Sequence, residues 1–309
     1  MRAVLFNDYG GPEVLYLGEA LDPVAGPGEI VVDIHAASVN AADSKVRAAP
    51  RPGEPRLDFP HILGRDFSGV VRTLGEGVTD FAPGDAVFAV IERGREGGYA
   101  EAISIAAELA ARKPDSMSHV EAAALSLTGL TALVALEDEA RIAAGERILI
   151  HGGAGGVGSF AVQYARHVGA HVMVTGRAVN HDYLRALGAE ETIDYTKQDF
   201  AQVVSDCDVV FDTIGGAVHA RSYPVLKPGG RLIHIAPGPK DFTPREDVTV
   251  TRPHVGRDRA HLERVLELVA DGAVKPPEIQ TLPLSEARQA HELSQAGHVR
   301  GKIVFQVRP

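Results

Sequence analysis

The sequence predicts an α/β protein in which a doubly wound parallel sheet is joined to a separate β-rich domain. Three observations carry that expectation. Residues 147–177 read as one strand–helix–strand unit built around a glycine-rich turn. Strand and helix patterns then alternate to about residue 250, the signature of a parallel sheet covered on both faces. The first 112 or so residues show short alternating runs punctuated by Pro and Gly instead, as an all-β domain does.

In chain order, 3–6, 29–36, 69–74, 86–91 and 99–103 read as strands. Gly10-Gly11-Pro12, Gly26-Pro27-Gly28, Pro83-Gly84-Asp85 and Gly97-Gly98 mark the turns between them. Residues 48–60, rich in Pro, Arg and acidic side chains, read as an exposed loop over a cleft. Past Arg112-Lys113-Pro114 the pattern becomes helical over 118–137, with Ser118 and Glu121 spaced as a capping box. Further strands are expected at 191–195, 208–212 and 231–235, preceded by helices near 182–187, 200–204 and 219–226. A helix over 259–270, a strand at 279–282, a helix over 285–295 and a strand at 302–307 close the chain. That last strand is expected to return to the β-rich domain and leave a cofactor cleft between two lobes. The domain limits so read are 1–113, 114–255 and a returning segment 256–309.

Composition narrows the function. A chain of 309 residues supports about two domains. A net charge of −10 argues against a nucleic-acid or anionic membrane partner. The apolar runs read as too short to span a bilayer, and the N-terminus reads as a strand rather than a signal peptide. One cysteine, Cys207, permits no intrachain disulfide and fits a cytoplasmic protein.

The 147–177 unit points to a dinucleotide. Ile148-Leu149-Ile150 is short and branched enough to be a buried parallel strand. Gly153, Gly155 and Gly158, with Ala154, Gly156 and Val157 between them, match the fingerprint that lets a backbone approach a pyrophosphate. The turn opens a helix whose first N–H groups and dipole favour a phosphate, and Gly169 stands at its C-cap. An NAD-preferring site ends the second strand with an acid that bonds the ribose 2′-OH. Here Thr175, Gly176 and Arg177 stand there instead. A guanidinium suits a 2′-phosphate, so NADPH is the expected cofactor. Thr213, Ile235 and Gly238 fall at strand ends that would face it.

With these segments placed, the chain resembles the zinc-free quinone oxidoreductase (zeta-crystallin-like) branch of the medium-chain dehydrogenase/reductase superfamily. The likeness runs nearly end to end, through Ser38–Asp43, LGRDFSGV at 63–70, PGDAV at 83–87, GYAE at 98–101, LTA at 130–132, AGGVG at 154–158, DTIGG at 212–216, PGGR at 228–231 and RGKIV at 300–304. It implies a Rossmann domain and a GroES-like catalytic domain, pairing into a homodimer. It also implies Asn40 and Asp43 on the floor of the cleft as catalytic residues, Asn40 touching the cofactor as well. Thr131, Tyr195 and Lys302 are implied to contact cofactor. Zinc alcohol dehydrogenases of the superfamily carry Cys near the Asn40 region and a His-Glu pair after the Gly64-type glycine; here Asn40 and Arg65-Asp66 stand there. No metal is therefore expected. His35, His61 and His151 are read as packing or loop residues, and Gly169 keeps His167 and His171 off one helical face. Some relatives place a tyrosine where this chain has Lys45, so no proton donor is identified.

The expected activity is zinc-independent hydride transfer from NADPH to a quinone or α,β-unsaturated carbonyl, acceptors that delocalise the incoming charge. The alternatives are a non-catalytic cofactor-binding protein, structural or nucleic-acid-binding, and a zinc-type alcohol dehydrogenase. For nucleic acid the candidate is the basic set Arg252, His254, Arg257, Arg259, His261 and Arg264, which no aromatic interleaves. A dimer is expected through 246–251, read as the outermost sixth strand, since an exposed edge must be blocked or paired.

Overall fold

The structure, a computed structural model, describes every residue except Arg51, Pro52, Glu54, Pro55, Arg93 and Pro309. It divides into two compact units, Met1–Leu127 with Arg257–Glu263 and Glu278–Pro309, and Thr128–Gly256 with Arg264–Pro277. The division therefore falls after Leu127 rather than after Lys113. The Leu127 amide donates to Asp66 Oδ2 at 3.2 Å, which ties 114–127 to the first unit. Residues 264–277 join the second unit, where Val265 packs so closely on Gly129 that a Cβ there would sit 2.8 Å from it.

The first unit contains β1 (Arg2–Phe6), β2 (Tyr16–Glu19), β3 (Glu29–Ser38), α1 (Ala41–Ala48), β4 (His61–Ile62), β5 (Asp66–Leu74), β6 (Ala86–Val90), β7 (Ala102–Ala106) and β8 (Ala110–Arg112). Helix α2 (His119–Leu133) crosses into the second unit. The second unit runs through β9 (Arg147–His151), α3 (Gly156–Val168), β10 (His171–Gly176), α4 (His181–Leu187), β11 (Glu191–Asp194), α5 (Phe200–Val203), β12 (Cys207–Asp212), α6 (Ala217–Arg221), β13 (Leu226–His234) and β14 (Thr249–Thr251). Helix α7 (Arg259–Ala270) follows, then β15 (Ile279–Pro283), α8 (Ala287–Gln295) and β16 (Lys302–Gln306) in the first unit.

Strand β16 pairs antiparallel with β3, so the chain does return to its N-terminal domain. The main sheet of that unit runs β15-β16-β3-β5-β6-β8, with β7 also on β3. Phe67, Val87, Ile30, Tyr99 and Phe305 are among the residues of its core. In the second unit the sheet is parallel throughout, ordered β11-β10-β9-β12-β13-β14. Strand order reverses between β9 and β12, and ligands of open α/β sheets lie outside the C-terminal ends of the strands at such a point.

Several expected elements are displaced for physical reasons. The strand at 99–103 becomes β7 at 102–106, because residues 99–101 bond elsewhere: Tyr99 N to Leu63 O at 2.9 Å and Glu101 N to Arg2 O at 3.0 Å. The helix at 219–226 stops at Arg221, and Pro224 then sits in a short 3₁₀ turn, lacking the N–H a helix needs. The outermost strand is β14 as expected, but only 249–251 of 246–251 pair. Helix α1 carries little apolar periodicity and was not expected. Part of 48–60 lies outside the described residues. Residues 119–139 are apolar and long enough by composition to cross a membrane, contrary to the sequence expectation, but 78% of the most apolar window is buried within the protein, as in a core helix.

Candidate active site

The second unit presents the glycine turn. The left-handed residue that makes it tight is Gly152, at φ 74°, one position before the expected Gly153. Gly153 is required for packing: a Cβ there would meet Val174 Cγ1 at 2.1 Å. At Gly158 a Cβ would fall 2.3 Å from Gly152 O, which holds α3 against the turn. Gly155 differs, since the nearest atom to its Cβ would be Gly152 O at 3.6 Å. Nothing in the fold demands glycine there, so its missing side chain leaves room for a ligand. Gly155 is also the N-cap of α3 and no side chain caps the helix. The first-turn N–H groups of Gly156, Val157 and Gly158 therefore lack helical partners. Gly169, at φ 89°, ends α3 between His167 and His171 as expected.

At the neighbouring strand ends Gly176 pairs with Asp194. Gly176 is buried, and a Cβ there would lie 2.7 Å from Leu184 Cδ1, so α4 packs where an NAD-type site keeps its acid. Arg177 is exposed, and its side chain makes no ion pair or hydrogen bond with the described residues. Tyr195, 52% exposed, follows β11. These two side chains and the glycine turn suit a phosphorylated dinucleotide. Thr175 does not join them. Its hydroxyl lies inside the sheet, 2.9 Å from His151 Nδ1, and His151 Nε2 is 3.1 Å from Ser222 Oγ. Thr213 Oγ1 likewise donates to His151 O at 2.7 Å. Ile235 follows β13, with its N–H on Asp212 O at 3.1 Å, and Gly238 packs against His219. Thr131 is buried in α2, and its hydroxyl bonds none of the described residues.

The first unit holds a buried polar network. Asn40 caps α1, and its N–H donates to Asp43 Oδ2 at 2.8 Å. Both amide hydrogens of Asn40 are committed, to Ser38 O at 3.2 Å and Asp66 Oδ1 at 3.0 Å. Its Oδ1 accepts from Lys302 Nζ at 2.6 Å, and the same ammonium donates to Val39 O at 2.8 Å. Ser38 Oγ donates to Asp66 at 2.8 Å. Asp43 is 0% exposed and accepts from Tyr99 OH at 2.8 Å and from Arg65 Nε at 3.2 Å. Burial pushes its carboxyl up to about 6, against the pull of Arg65, Tyr99 and the Asn40 amide. Asp66 is raised by burial as well, opposed first by Lys302.

Asn40, Asp43 and Lys302 are thus brought together, but two of them are spent. Asn40 has no free donor and Asp43 no exposed atom. An ammonium has three donors, and Lys302, 6% exposed, has two of them engaged. Arg65, Asp66 and Tyr99 lie within the family motifs at 63–70 and 98–101, which imply no site role for them. No local spacing reveals that Asp66, on β5, is the hub to which Ser38 and Asn40 converge. Lys45 stands exposed on α1.

Among the described residues no group of three or more His, Cys, Asp or Glu is placed to hold a metal. His35 stacks on His119 at 4.5 Å, and His61 packs edge-on to Phe6. His151 is no simple packing residue, since both its nitrogens bond. Within the basic set, Arg259 pairs with Asp80, His261 with Asp258, and Arg264 with Glu137 and Glu267. Arg252 and His254 of the same set are exposed.

The chain matches the alcohol dehydrogenase GroES-like domain over residues 26–115 and the family described as zinc-binding dehydrogenase over 187–305. It is 33% identical to a chloroplast envelope quinone oxidoreductase homolog of Arabidopsis thaliana, covering 99% of this chain and 98% of that one. A quinone oxidoreductase from Coxiella burnetii superposes with a TM-score of 0.91 at 34% identity, covering 100% and 99%. Escherichia coli quinone oxidoreductase complexed with NADPH superposes at 0.88 with 27% identity, covering 99% and 100%. With the Rossmann sheet, the GroES-like domain and the glycine turn in place, the chain belongs to the medium-chain dehydrogenase/reductase family, among its quinone oxidoreductase-like members, and is an oxidoreductase.

Proposed function

We propose that the protein uses NADPH to reduce a quinone or an α,β-unsaturated carbonyl without zinc. The observation that carries this reading is the state of the residues at the zinc positions. Asn40, Arg65 and Asp66 spend their polar atoms on one another's neighbours, Ser38, Asp43, Glu96 and Lys302. Two of the three are not metal-ligand types at all. The single cysteine, Cys207, is buried in β12 with its thiol pushed up to about 12 by burial, so it supplies no thiolate. Without a Lewis acid, the acceptor must itself spread the charge of an incoming hydride.

For the cofactor, the open Gly155, the free amides of Gly156 to Gly158 and the unpartnered Arg177 support NADPH, with Tyr195 beside the 2′-phosphate. Thr213, Ile235 and Gly238 are proposed to line its nicotinamide half and Thr131 to touch its amide or ribose. Bound NADPH would supply the hydride. The third Nζ–H of Lys302 is proposed to meet the ribose hydroxyl or the acceptor oxyanion, with Asn40 and Val39 O fixing the ammonium and Asp66 offsetting its charge. Asp43 holds Arg65, Tyr99 and the start of α1 in place. A quinone takes up the hydride and one proton to become a hydroquinone; solvent supplies that proton here. NADPH oxidation followed over a panel of quinones, enones and enals, with no metal added, tests the reading. No turnover with any acceptor would leave the non-catalytic cofactor-binding alternative.

A further inference from the structure

Beneath the C-terminal ends of β12 and β13 lies a polar chain that the proposed chemistry does not use. Asp212 is 0% exposed. Its Oδ1 accepts the N–H groups of Ile214 and Gly215 at 2.8 and 2.9 Å, which shapes the turn carrying Thr213. Its Oδ2 is buried with no hydrogen-bond partner. Facing it at 3.4 Å is His219 Nδ1, 6% exposed as a residue and also without a hydrogen bond. The other ring nitrogen lies 3.3 Å from Tyr223 OH.

The ring sits where two loops meet. Gly216 N donates to Pro237 O at 2.9 Å, joining the 213–216 turn to the 235–238 loop. Gly238 lies against the imidazole so closely that a Cβ would be 2.4 Å from His219 Cδ2. His234 and Phe242 close the remaining sides, at 4.7 and 6.4 Å between centroids. Burial and the neighbouring His234 hold the ring below the ordinary histidine range, so it is neutral near pH 7. If Tyr223 donates to Nε2, the one ring proton is on Nδ1, on the side of Asp212 but out of line with Oδ2. Two buried polar atoms left just beyond good bonding distance are costly, and a small rotation of the ring would join them.

We propose that His219 is a positioning residue for the nicotinamide half of the cofactor, its Nδ1–H closing onto Asp212 Oδ2 when that half is bound and so fixing the 213–216 turn against the 235–238 loop. The inference rests on the NADPH reading. It places a coupling between loop order and cofactor at a residue that touches neither substrate nor cofactor.

The test separates the two halves of the cofactor. Dissociation constants for NADPH and for 2′,5′-ADP, which carries only the adenine half, are measured for the native chain, His219→Phe and His219→Asn. Phe fills the ring volume and keeps Gly238 packed, whereas Asn restores a donor near Nδ1. The expected result is roughly tenfold weaker NADPH binding in H219F, the loss of one buried charged hydrogen bond. H219N should recover most of it, and 2′,5′-ADP binding should be unchanged in both. The imidazole nitrogen signals of His219 in the native chain should shift on adding NADPH and stay put on adding 2′,5′-ADP. Native-like NADPH binding by H219F, an equal loss for both ligands, or unmoved imidazole signals with NADPH would overturn the inference. Failure of the native chain to bind either ligand would overturn the NADPH reading instead. The imidazole measurement needs no variant, so a misfolded H219F does not spare the proposal.

Discussion

Arg177→Ala should convert an NADPH-selective protein into an indifferent one. The side chain is exposed and bonds none of the described residues, so truncation orphans no partner among them. Surface changes of that kind move stability by no more than about 0.5 kcal/mol. A charge-assisted bond to phosphate is worth about 1.5–3 kcal/mol, so NADPH affinity should fall by roughly 10- to 150-fold. NADH, which lacks the 2′-phosphate, should lose almost nothing. The contact lies in solvent, so the selectivity of the native chain should also shrink as salt rises. Reduced nicotinamides fluoresce, and the chain has no Trp to interfere, so both constants come from direct titration. Equal losses for the two cofactors, or none for NADPH, would show that the guanidinium faces elsewhere and refute the reasoning from Gly176 and Arg177.

Substitutions in the glycine turn should separate packing from binding. Gly153→Ala and Gly158→Ala force contacts at 2.1 and 2.3 Å and should cost about 1–3 kcal/mol of stability, whereas Gly155→Ala, with 3.6 Å of room, should melt near the native temperature and still bind NADPH poorly. Asp43 gives a pH signature. Its folded carboxyl lies near 6, above its unfolded value, so the native state holds this proton more tightly. Its contribution to stability is fully present below the unfolded value and is lost as pH rises toward 6, by on the order of 3 kcal/mol. Melting curves of the native chain and Asp43→Asn across that window should diverge, and parallel curves would count against the buried carboxylate as drawn. Light scattering should show a dimer joined through the free edge of β14; a monomer at micromolar concentration would exclude it.

Much of this was legible in the sequence because it rests on local chemistry. The βαβ unit announces itself through a short apolar run, a glycine turn and a helical period. The Gly169 cap and the Ser118–Glu121 box follow from single residues, and in the structure Ser118 N donates to Glu121 Oε2 at 2.8 Å. The missing acid and added base at 176–177 were equally plain. What escaped depends on distant contacts. Gly152 rather than Gly153 takes the positive φ, and Gly153 is instead kept free of a side chain by Val174 on the adjacent strand. Thr175 turns inward because His151 meets it from the adjacent strand. Asn40 is spent because Asp66, 26 residues away, takes one of its amide hydrogens and Lys302, 262 residues away, donates to its oxygen. The Asp212–His219 contact falls within one short turn of chain, but only the approach of Gly238 shows what it supports.

The most direct measurement is NADPH oxidation by metal-stripped protein. Zinc content is fixed by elemental analysis, and turnover is followed with a simple quinone in the presence of a chelator. Steady, NADPH-dependent reduction with no stoichiometric metal bound is the expected result. Stoichiometric zinc, with activity lost to the chelator and restored by the metal, would contradict it.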